Sequence, residues 1–220
     1  MGIEVTAYEF DGMSVRILRA GAGAPFVLWP TQAALPTLAD EVAEKLVSAG
    51  YGDFTLCALL VDDWDAQLSP WKAVCAGRAF AGQGETTLEW ITRHLPEIAC
   101  GDAFLAGYSL AGLFSMWALT QAGAFKGAAS ASGSLWYPGW SDYLETAKVP
   151  SDAIAYLSVG SREQNAPDEQ MARVVTATQD THRWMKARLG KSMLKMNKGG
   201  HFSDPSGRMA AAIGWLLDNA

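Results

Sequence analysis

The chain has 220 residues, half of them hydrophobic, and a formal net charge of −6. Its length allows one domain with a full core, and its hydrophobic content excludes a disordered protein. The acidic balance argues against nucleic acid as a partner, and no apolar run reaches the roughly 18 residues that a transmembrane helix requires.

The predicted elements alternate between strands and helices after an N-terminal hairpin. Residues 3–10 and 13–19 flank the dipeptide Asp-Gly, a strong signal for a two-residue hairpin turn. Short apolar runs predict further strands at 25–30, 54–61, 102–106, 125–132, 153–160 and 192–197. Apolar residues at helical spacing predict helices at 35–49, 85–99, 110–121, 167–189 and 206–218. This order predicts a single α/β domain, residues 1–220, with a mostly parallel sheet, an antiparallel N-terminal hairpin and helices on both faces.

One serine lies in the turn between a predicted strand and the next helix, in the stretch "AGYSLAGLF" (106–114). A tight turn at this place lifts the Ser109 hydroxyl clear of the backbone, and Gly107 and Ala111 are small enough to allow it. The helix that begins at Leu110 points free N–H groups at the same place. Ser109 is therefore a candidate nucleophile and the Leu110 N–H a candidate oxyanion donor. The alternative is an ordinary serine N-cap beside glycines that serve helix packing.

The position of the histidines supports the nucleophile. Hydrolases with such a turn present their residues in the order serine, acid, histidine. His201 lies in the loop "KGGHFSDP" between the last predicted strand and the last helix, where this order places the base. His94 precedes the serine, and His182 falls on the apolar stripe of a helix, so both are interpreted as structural residues.

The acid should follow the strand predicted at 153–160. Glu163 is the first carboxylate after that strand, and Asp168 comes five residues later. Asp168 is expected in the first turn of a helix, where an acidic residue simply favours the helix dipole. Glu163 is therefore ranked first and Asp168 second as the partner of the histidine.

A second oxyanion donor should come from the loop after an early strand. The stretch "FVLWPTQA" provides that loop, and the backbone N–H of Thr31 or Gln32 is the natural candidate. Pro30 has no N–H and cannot serve.

Together these residues resemble the branch of the α/β-hydrolases that includes esterase D-like enzymes, feruloyl esterases, siderophore trilactone esterases and the antigen 85 acyltransferases. The resemblance lies in "DDWDAQLSPW" (62–71), "GYSLAGLF" (107–114), "ASGSLWYPGW" (131–140) and "GGHFSDP" (199–205). It implies a serine esterase that works through an acyl-enzyme, with Ser109 as nucleophile, His201 as base and Glu163 as acid. Ala111 departs from the strict G-x-S-x-G pattern, but this branch commonly carries the glycine one position later, as at Gly112.

Aromatic residues cluster after two of the predicted strands. Trp64 and Trp71 follow one strand, and Trp136 and Tyr137 follow another. Both loops are expected at the same edge of the sheet, so the pattern predicts an aromatic-walled cleft for a small-molecule ester. The alternative is that these side chains only pack the loops. Too few residues follow Trp140 before the next strand to form a helical cap, so the site should be open.

The cysteines and the N-terminus bear on the location of the protein. Cys57, Cys75 and Cys100 are odd in number and form no CxxC pair, so we expect neither a zinc site nor a disulfide framework. Free thiols are typical of a reducing compartment, and the N-terminal stretch shows no secretory signal. We therefore predict a cytoplasmic protein without metal or cofactor, with neither nucleic acid nor membrane as a partner.

Two other functions remain open at this point. An acyltransferase would use the same three residues and pass the acyl group to an alcohol instead of water. A non-catalytic module with the hydrolase fold would bind an aromatic or sugar ligand.

Overall fold

The computed structural model describes residues 2–35, 37–99 and 101–220. Cys100, one of the three cysteines considered above, lies outside the described residues, as does Pro36 in the first predicted helix. Within the described ranges, no helix is both long and apolar enough to cross a membrane. The cytoplasmic location stays a prediction.

The strands of the described residues form a large eight-stranded sheet and a separate two-stranded hairpin. In chain order they are β1 (Glu4–Phe10), β2 (Met13–Ala20), β3 (Phe26–Gln32), β4 (Phe54–Val61), β5 (Lys72–Cys75), β6 (Arg78–Ala81), β7 (Ala103–Tyr108), β8 (Gly127–Ala131), β9 (Ile154–Gly160) and β10 (Lys191–Asn197). The large sheet has the order β1-β2-β4-β3-β7-β8-β9-β10, and the hairpin is β5-β6. From β4 to β10 the neighbours are parallel, whereas β2 is antiparallel to both β1 and β4. The predicted sheet with its antiparallel N-terminal hairpin is confirmed.

Helices cover both faces of the large sheet. They are α1 (Leu38–Ser48), α2 (Trp64–Gln67), α3 (Gly84–Ile98), α4 (Leu110–Gln121), α5 (Trp140–Thr146), α6 (Val174–Lys186) and α7 (Pro205–Leu217). The buried residues of α1 and α7 share one apolar cluster, and those of α3, α4, α5 and α6 share the other. Successive residues of β3 alternate between the two clusters, with Val27 and Trp29 in the first and Phe26 and Leu28 in the second. The sheet therefore separates two cores, and its central strands are apolar on both sides because both faces are covered.

The structure differs from the predicted elements in the short segments. The β5–β6 hairpin, α2 and α5 were not predicted, because elements of four to seven residues are too short to show a periodic pattern. The helix predicted to begin at residue 167 begins at Val174 instead. Before it, Asp168 Oδ1 accepts hydrogen bonds from the backbone N–H of Gln170 (3.0 Å) and Met171 (2.9 Å). This local side-chain cap replaces helical bonding and delays the start of the helix.

The chain leaves the centre of the sheet in opposite directions at β3 and β7. β3 leads into α1 on one face, and β7 leads into α4 on the other. The pairing between the two strands ends at Leu28 and Leu105, before either strand ends. Their carboxyl ends therefore diverge and leave a crevice, and open α/β sheets bind their ligands in such crevices.

Candidate active site

Ser109 occupies a strained turn at this crevice. Its backbone has φ 57° and ψ −123°, a region that residues other than glycine rarely adopt. The neighbouring glycine is required, because a Cβ at Gly107 would overlap the Ala111 carbonyl. A Cβ at Gly112 would come within 2.7 Å of Ser130 Oγ in β8 and within 2.9 Å of Gly133 Cα, so α4 could not lie this close to β8 and the segment after it. The small residues around Ser109 thus serve the sharp turn that presents its hydroxyl.

A continuous chain of hydrogen bonds joins Ser109, His201 and Glu163. His201 Nε2 lies 3.1 Å from Ser109 Oγ, and His201 Nδ1 lies 2.8 Å from Glu163 Oε2. The three residues follow β7, β10 and β9, so the parallel strands deliver them to one edge of the sheet. An ionised carboxylate can only accept, so Nδ1 carries the proton and Nε2 is free to accept one from the serine hydroxyl. Asp168 takes no part in this chain, because its side chain caps the turn before α6.

Glu163 is held as a carboxylate by its surroundings. Its side chain is 2% exposed, and its Oε1 atom accepts from Gly160 N (2.6 Å), Ser132 Oγ (2.7 Å) and Arg208 Nη1 (2.9 Å). Burial by itself raises the pKa of Glu163, but the hydrogen bonds from His201, Ser132 and the Gly160 N–H outweigh it and lower the pKa below its ordinary value. The side chain is therefore ionised at neutral pH.

This ionised state makes the stability of the folded protein sensitive to acid. Because the folded state holds the pKa of Glu163 below its ordinary value, the contribution of this group to the free energy of unfolding is fully present at any pH above that ordinary value. The contribution is lost as the pH falls through the folded-state value. We expect urea titrations below about pH 4.5 to show a steeper loss of stability for the wild type than for Glu163→Gln. The exposed control Glu169→Gln should keep the wild-type slope, and equal slopes for wild type and Glu163→Gln would contradict this account.

Side chains hold the backbone of the loop that carries His201. Arg208 Nη2 donates to the carbonyls of Lys198 (3.1 Å) and Gly200 (3.0 Å), and the Tyr108 hydroxyl donates to the His201 carbonyl. Asp204 caps α7 by accepting from the backbone N–H of Gly207 at 3.1 Å, which fixes the end of the loop. The imidazole is thus presented by a loop that is tied to the neighbouring elements on both sides.

The alternating directions of the backbone N–H groups along β3 distinguish the two candidate oxyanion donors on that strand, Thr31 and Gln32. Phe26 N donates to Asp102 O, on the β7 side, and Ala33 N donates to Val61 O, on the β4 side. Alternate residues of a strand between two parallel neighbours point their N–H groups to opposite sides. The N–H of Thr31 therefore points to β4. The N–H of Gln32 points into the crevice beside β7, beyond the last backbone pairing between β3 and β7. The Leu110 N–H, in the first turn of α4, approaches the crevice from the other side.

A cavity of about 670 Å³ opens over Ser109 and His201. Several aromatic side chains form part of its wall: Trp29, Trp64, Phe80, Trp136 and Phe202. Of the four aromatic residues from which the sequence predicts a cleft, Trp64 and Trp136 line this cavity, and Trp71 and Tyr137 do not. Trp71 Nε1 donates to Pro138 O (2.8 Å) and the Tyr137 hydroxyl donates to Trp71 O (2.6 Å), so these two residues bind the two loops together behind the wall.

Two polar residues of the site, Ser132 and Arg208, were missed by the sequence analysis. Ser132 directly follows β8, and its place at the carboxyl end of a parallel strand was a usable signal. Arg208 shares one stripe of α7 with the buried residues Ala212 and Leu216. A charged residue on a buried helical stripe is rare unless it is paired, and this was the second usable signal.

Comparisons with known proteins agree with this architecture. The sequence matches no family model and no curated protein. Among solved structures, siderophore hydrolase EstA from Aspergillus nidulans is 18% identical with a TM-score of 0.75, over 100% of this chain and 94% of that one. An IroE-like serine hydrolase from Shewanella oneidensis is 14% identical with a TM-score of 0.79, over 99% and 81%. A ferulic acid esterase is 10% identical with a TM-score of 0.65, over 98% and 96%. The chain therefore has the α/β-hydrolase fold that its sequence predicts.

Proposed function

We propose that the protein is a serine esterase that hydrolyses a small-molecule carboxylic ester through an acyl-enzyme on Ser109. The observation that carries this proposal is the hydrogen-bond chain from Ser109 Oγ through the His201 imidazole to the buried Glu163 carboxylate, with its serine end on an open cavity. The names of the similar structures, among them a serine hydrolase and a ferulic acid esterase, support the same chemistry.

In the first half of the reaction, Ser109 Oγ attacks the ester carbonyl carbon while His201 Nε2 takes the hydroxyl proton. Glu163 keeps its charge and stabilises the imidazolium that forms. The N–H groups of Leu110 and Gln32 bind the oxyanion of the tetrahedral intermediate. The intermediate then expels the alkoxide, which receives the proton from His201 and leaves as the alcohol.

In the second half, water attacks the acyl carbon and gives its proton to His201. The second tetrahedral intermediate uses the same two N–H groups and collapses to release the acid. Ser109 recovers its proton from His201, so the enzyme returns to its starting state.

The cavity favours an ester with a bulky apolar part. Its volume of about 670 Å³ is that of a pocket for a small organic molecule. Trp64 and Trp136 are both half-buried on its wall, where they offer flat apolar faces beside the reacting serine. We therefore expect aryl or long acyl esters to be hydrolysed with a higher kcat/KM than the matching acetyl or methyl esters.

The function is tested by reaction of the purified protein with a fluorophosphonate and with a panel of such esters. The expected result is ester hydrolysis and a single label on the peptide that contains Ser109, located by mass spectrometry. Label on Ser132 or Ser134 instead would contradict the nucleophile. Absence of both label and hydrolysis would favour a ligand-binding module. Transfer of the acyl group to an added alcohol in preference to water would favour an acyltransferase.

A further inference from the structure

The proposed reaction uses three side chains, and a further, charged side chain lies buried against one of them, Glu163. The Arg208 side chain is 3% exposed. Its Nη1 atom donates to Glu163 Oε1 (2.9 Å) and to Ser132 Oγ (2.7 Å). Its Nη2 atom donates to the carbonyls of Lys198 and Gly200. One planar guanidinium therefore connects the Glu163 carboxylate with the carbonyls of Lys198 and Gly200, which lie just before His201 in the chain.

General stability does not explain this arrangement. Removing a guanidinium and a carboxylate from water carries a desolvation cost that their mutual attraction often fails to exceed, so a buried ion pair is weak evidence for stabilisation. Apolar residues of similar volume would serve a core at least as well. The buried pair of Arg208 and Glu163 is therefore better explained by a role in the active site than by stability.

The neighbouring backbone is shaped to admit the pair. A Cβ at Gly160 would come within 2.8 Å of both Arg208 Nη2 and Glu163 Oε1. Ser132 adopts φ 49°, a conformation that is strained for a residue other than glycine. In that conformation its hydroxyl lies between the guanidinium and the carboxylate, donating to Glu163 and accepting from Arg208. Glu163 Oε1 is thus contacted by Ser132, which is strained, and by Arg208, which is buried. Gly160 is the residue whose lack of a side chain leaves room for this contact.

We propose that Arg208 and Ser132 are positioning residues, which hold the Glu163 carboxylate and the His201 loop in one rigid frame. With Oε1 held by these donors and by the Gly160 N–H, the carboxylate cannot rotate, and only Oε2 faces the imidazole. The same guanidinium fixes the Gly200 carbonyl, next to His201, so the imidazole and its acid move together. This inference rests on the proposed function, because it assigns a role through Glu163 and His201.

The test is a double-mutant cycle on ester hydrolysis. Arg208→Lys keeps the positive charge but has one nitrogen in place of Nη1 and Nη2, so it cannot reach both the Glu163 carboxylate and the carbonyls of Lys198 and Gly200. We expect it to lower kcat by roughly 10²-fold with little change in KM, because misplacement by about 1 Å costs this much. In a Glu163→Gln background the same change should lower kcat by less than about 3-fold, because residues that act through one another are not additive.

A second variant keeps the test independent of folding. Ser132→Gly removes the hydroxyl at a position whose φ suits glycine, so relief of the strained backbone should offset the two lost hydrogen bonds and the protein should stay folded. We expect it to lower kcat about 10-fold in the wild-type background, since removal of a hydrogen-bond partner that orients an active-site residue typically costs at least this much activity. In the Glu163→Gln background it should have no further effect on kcat. The matched control is Arg16→Lys, which makes the same change in the partly buried ion pair of Arg16 with Asp40 (2.7 Å). Arg16→Lys should leave kcat unchanged.

The outcomes separate this inference from the proposed function. If the wild type hydrolyses esters but Arg208→Lys and Ser132→Gly keep wild-type kcat, the positioning role is overturned and the esterase stands. Equal losses of kcat with and without the Glu163 carboxylate would overturn it as well, since they would show a merely structural effect. If the wild type neither hydrolyses an ester nor reacts with a fluorophosphonate, both proposals fail.

Discussion

Replacement of Ser109 by alanine is expected to lower kcat for ester hydrolysis by on the order of 10⁶-fold, and His201→Ala should cost nearly the same. In the proposed mechanism the two residues act as one unit, because the hydroxyl is a poor nucleophile until the imidazole 3.1 Å away takes its proton. The double variant should therefore be no slower than either single variant. The remaining rate over water would come from the oxyanion donors and from binding in the cavity.

Matched controls for this result exist elsewhere in the chain. Ser130 is buried in β8, and its hydroxyl has no hydrogen-bond partner among the described residues, so Ser130→Ala should leave kcat unchanged. His182 lies on α6, outside the cavity wall, and His182→Ala should likewise leave the rate unchanged. Steady-state kinetics of the four single variants, with circular dichroism as a check of folding, gives the comparison. A Ser109→Ala protein with more than a small fraction of the wild-type rate would show that another residue is the nucleophile.

The sequence predicts where the strands end to within about two residues, and for this reason it also predicts which residues lie together at the crevice. Ser109 and Glu163 each follow a short apolar strand that is recognised by its composition alone. His201 follows β10, in which polar residues are interspersed with methionine and leucine. Once the strands are parallel, their carboxyl ends must meet at one edge, so three residues far apart in sequence become neighbours. The helix start after Glu163 was predicted too early because the side-chain cap by Asp168 competes with helical bonding, which apolar periodicity does not register.

Tertiary contacts determine the parts that the sequence analysis missed. Trp71 and Tyr137 have the composition of a binding wall, but hydrogen bonds between their two loops turn them inward. Arg208 and Ser132 reach Glu163 only because α7 and the segment after β8 pack against the loop that carries it. The strand end before Ser132 and the buried stripe that carries Arg208 mark both residues as candidates, but no local pattern specifies which distant element each one contacts.

The acid is the residue on which sequence alone left two candidates, and Glu163→Gln separates them. We expect this variant to lower kcat by about 10⁴-fold, because an amide in this place stabilises the wrong imidazole tautomer. The geometry fixes which way the amide turns. Three donors point at Oε1, so the glutamine oxygen must occupy that position and its NH₂ group must face His201 Nδ1. Nδ1 then has to accept, Nε2 carries the proton, and it cannot take the proton of Ser109.

Asp168→Asn is the matched control for that change. The two hydrogen bonds of Asp168 both go to Oδ1, and an asparagine oxygen in the same place can accept both, so the loss of stability should be about 0.5 kcal/mol with kcat unchanged. The pair is compared by kcat at neutral pH and by urea unfolding of each variant. A large loss of kcat for Asp168→Asn with little for Glu163→Gln would make Asp168 the acid. If neither change lowers kcat, the reaction runs on Ser109 and His201 alone, and the buried carboxylate of Glu163 serves the fold rather than the chemistry.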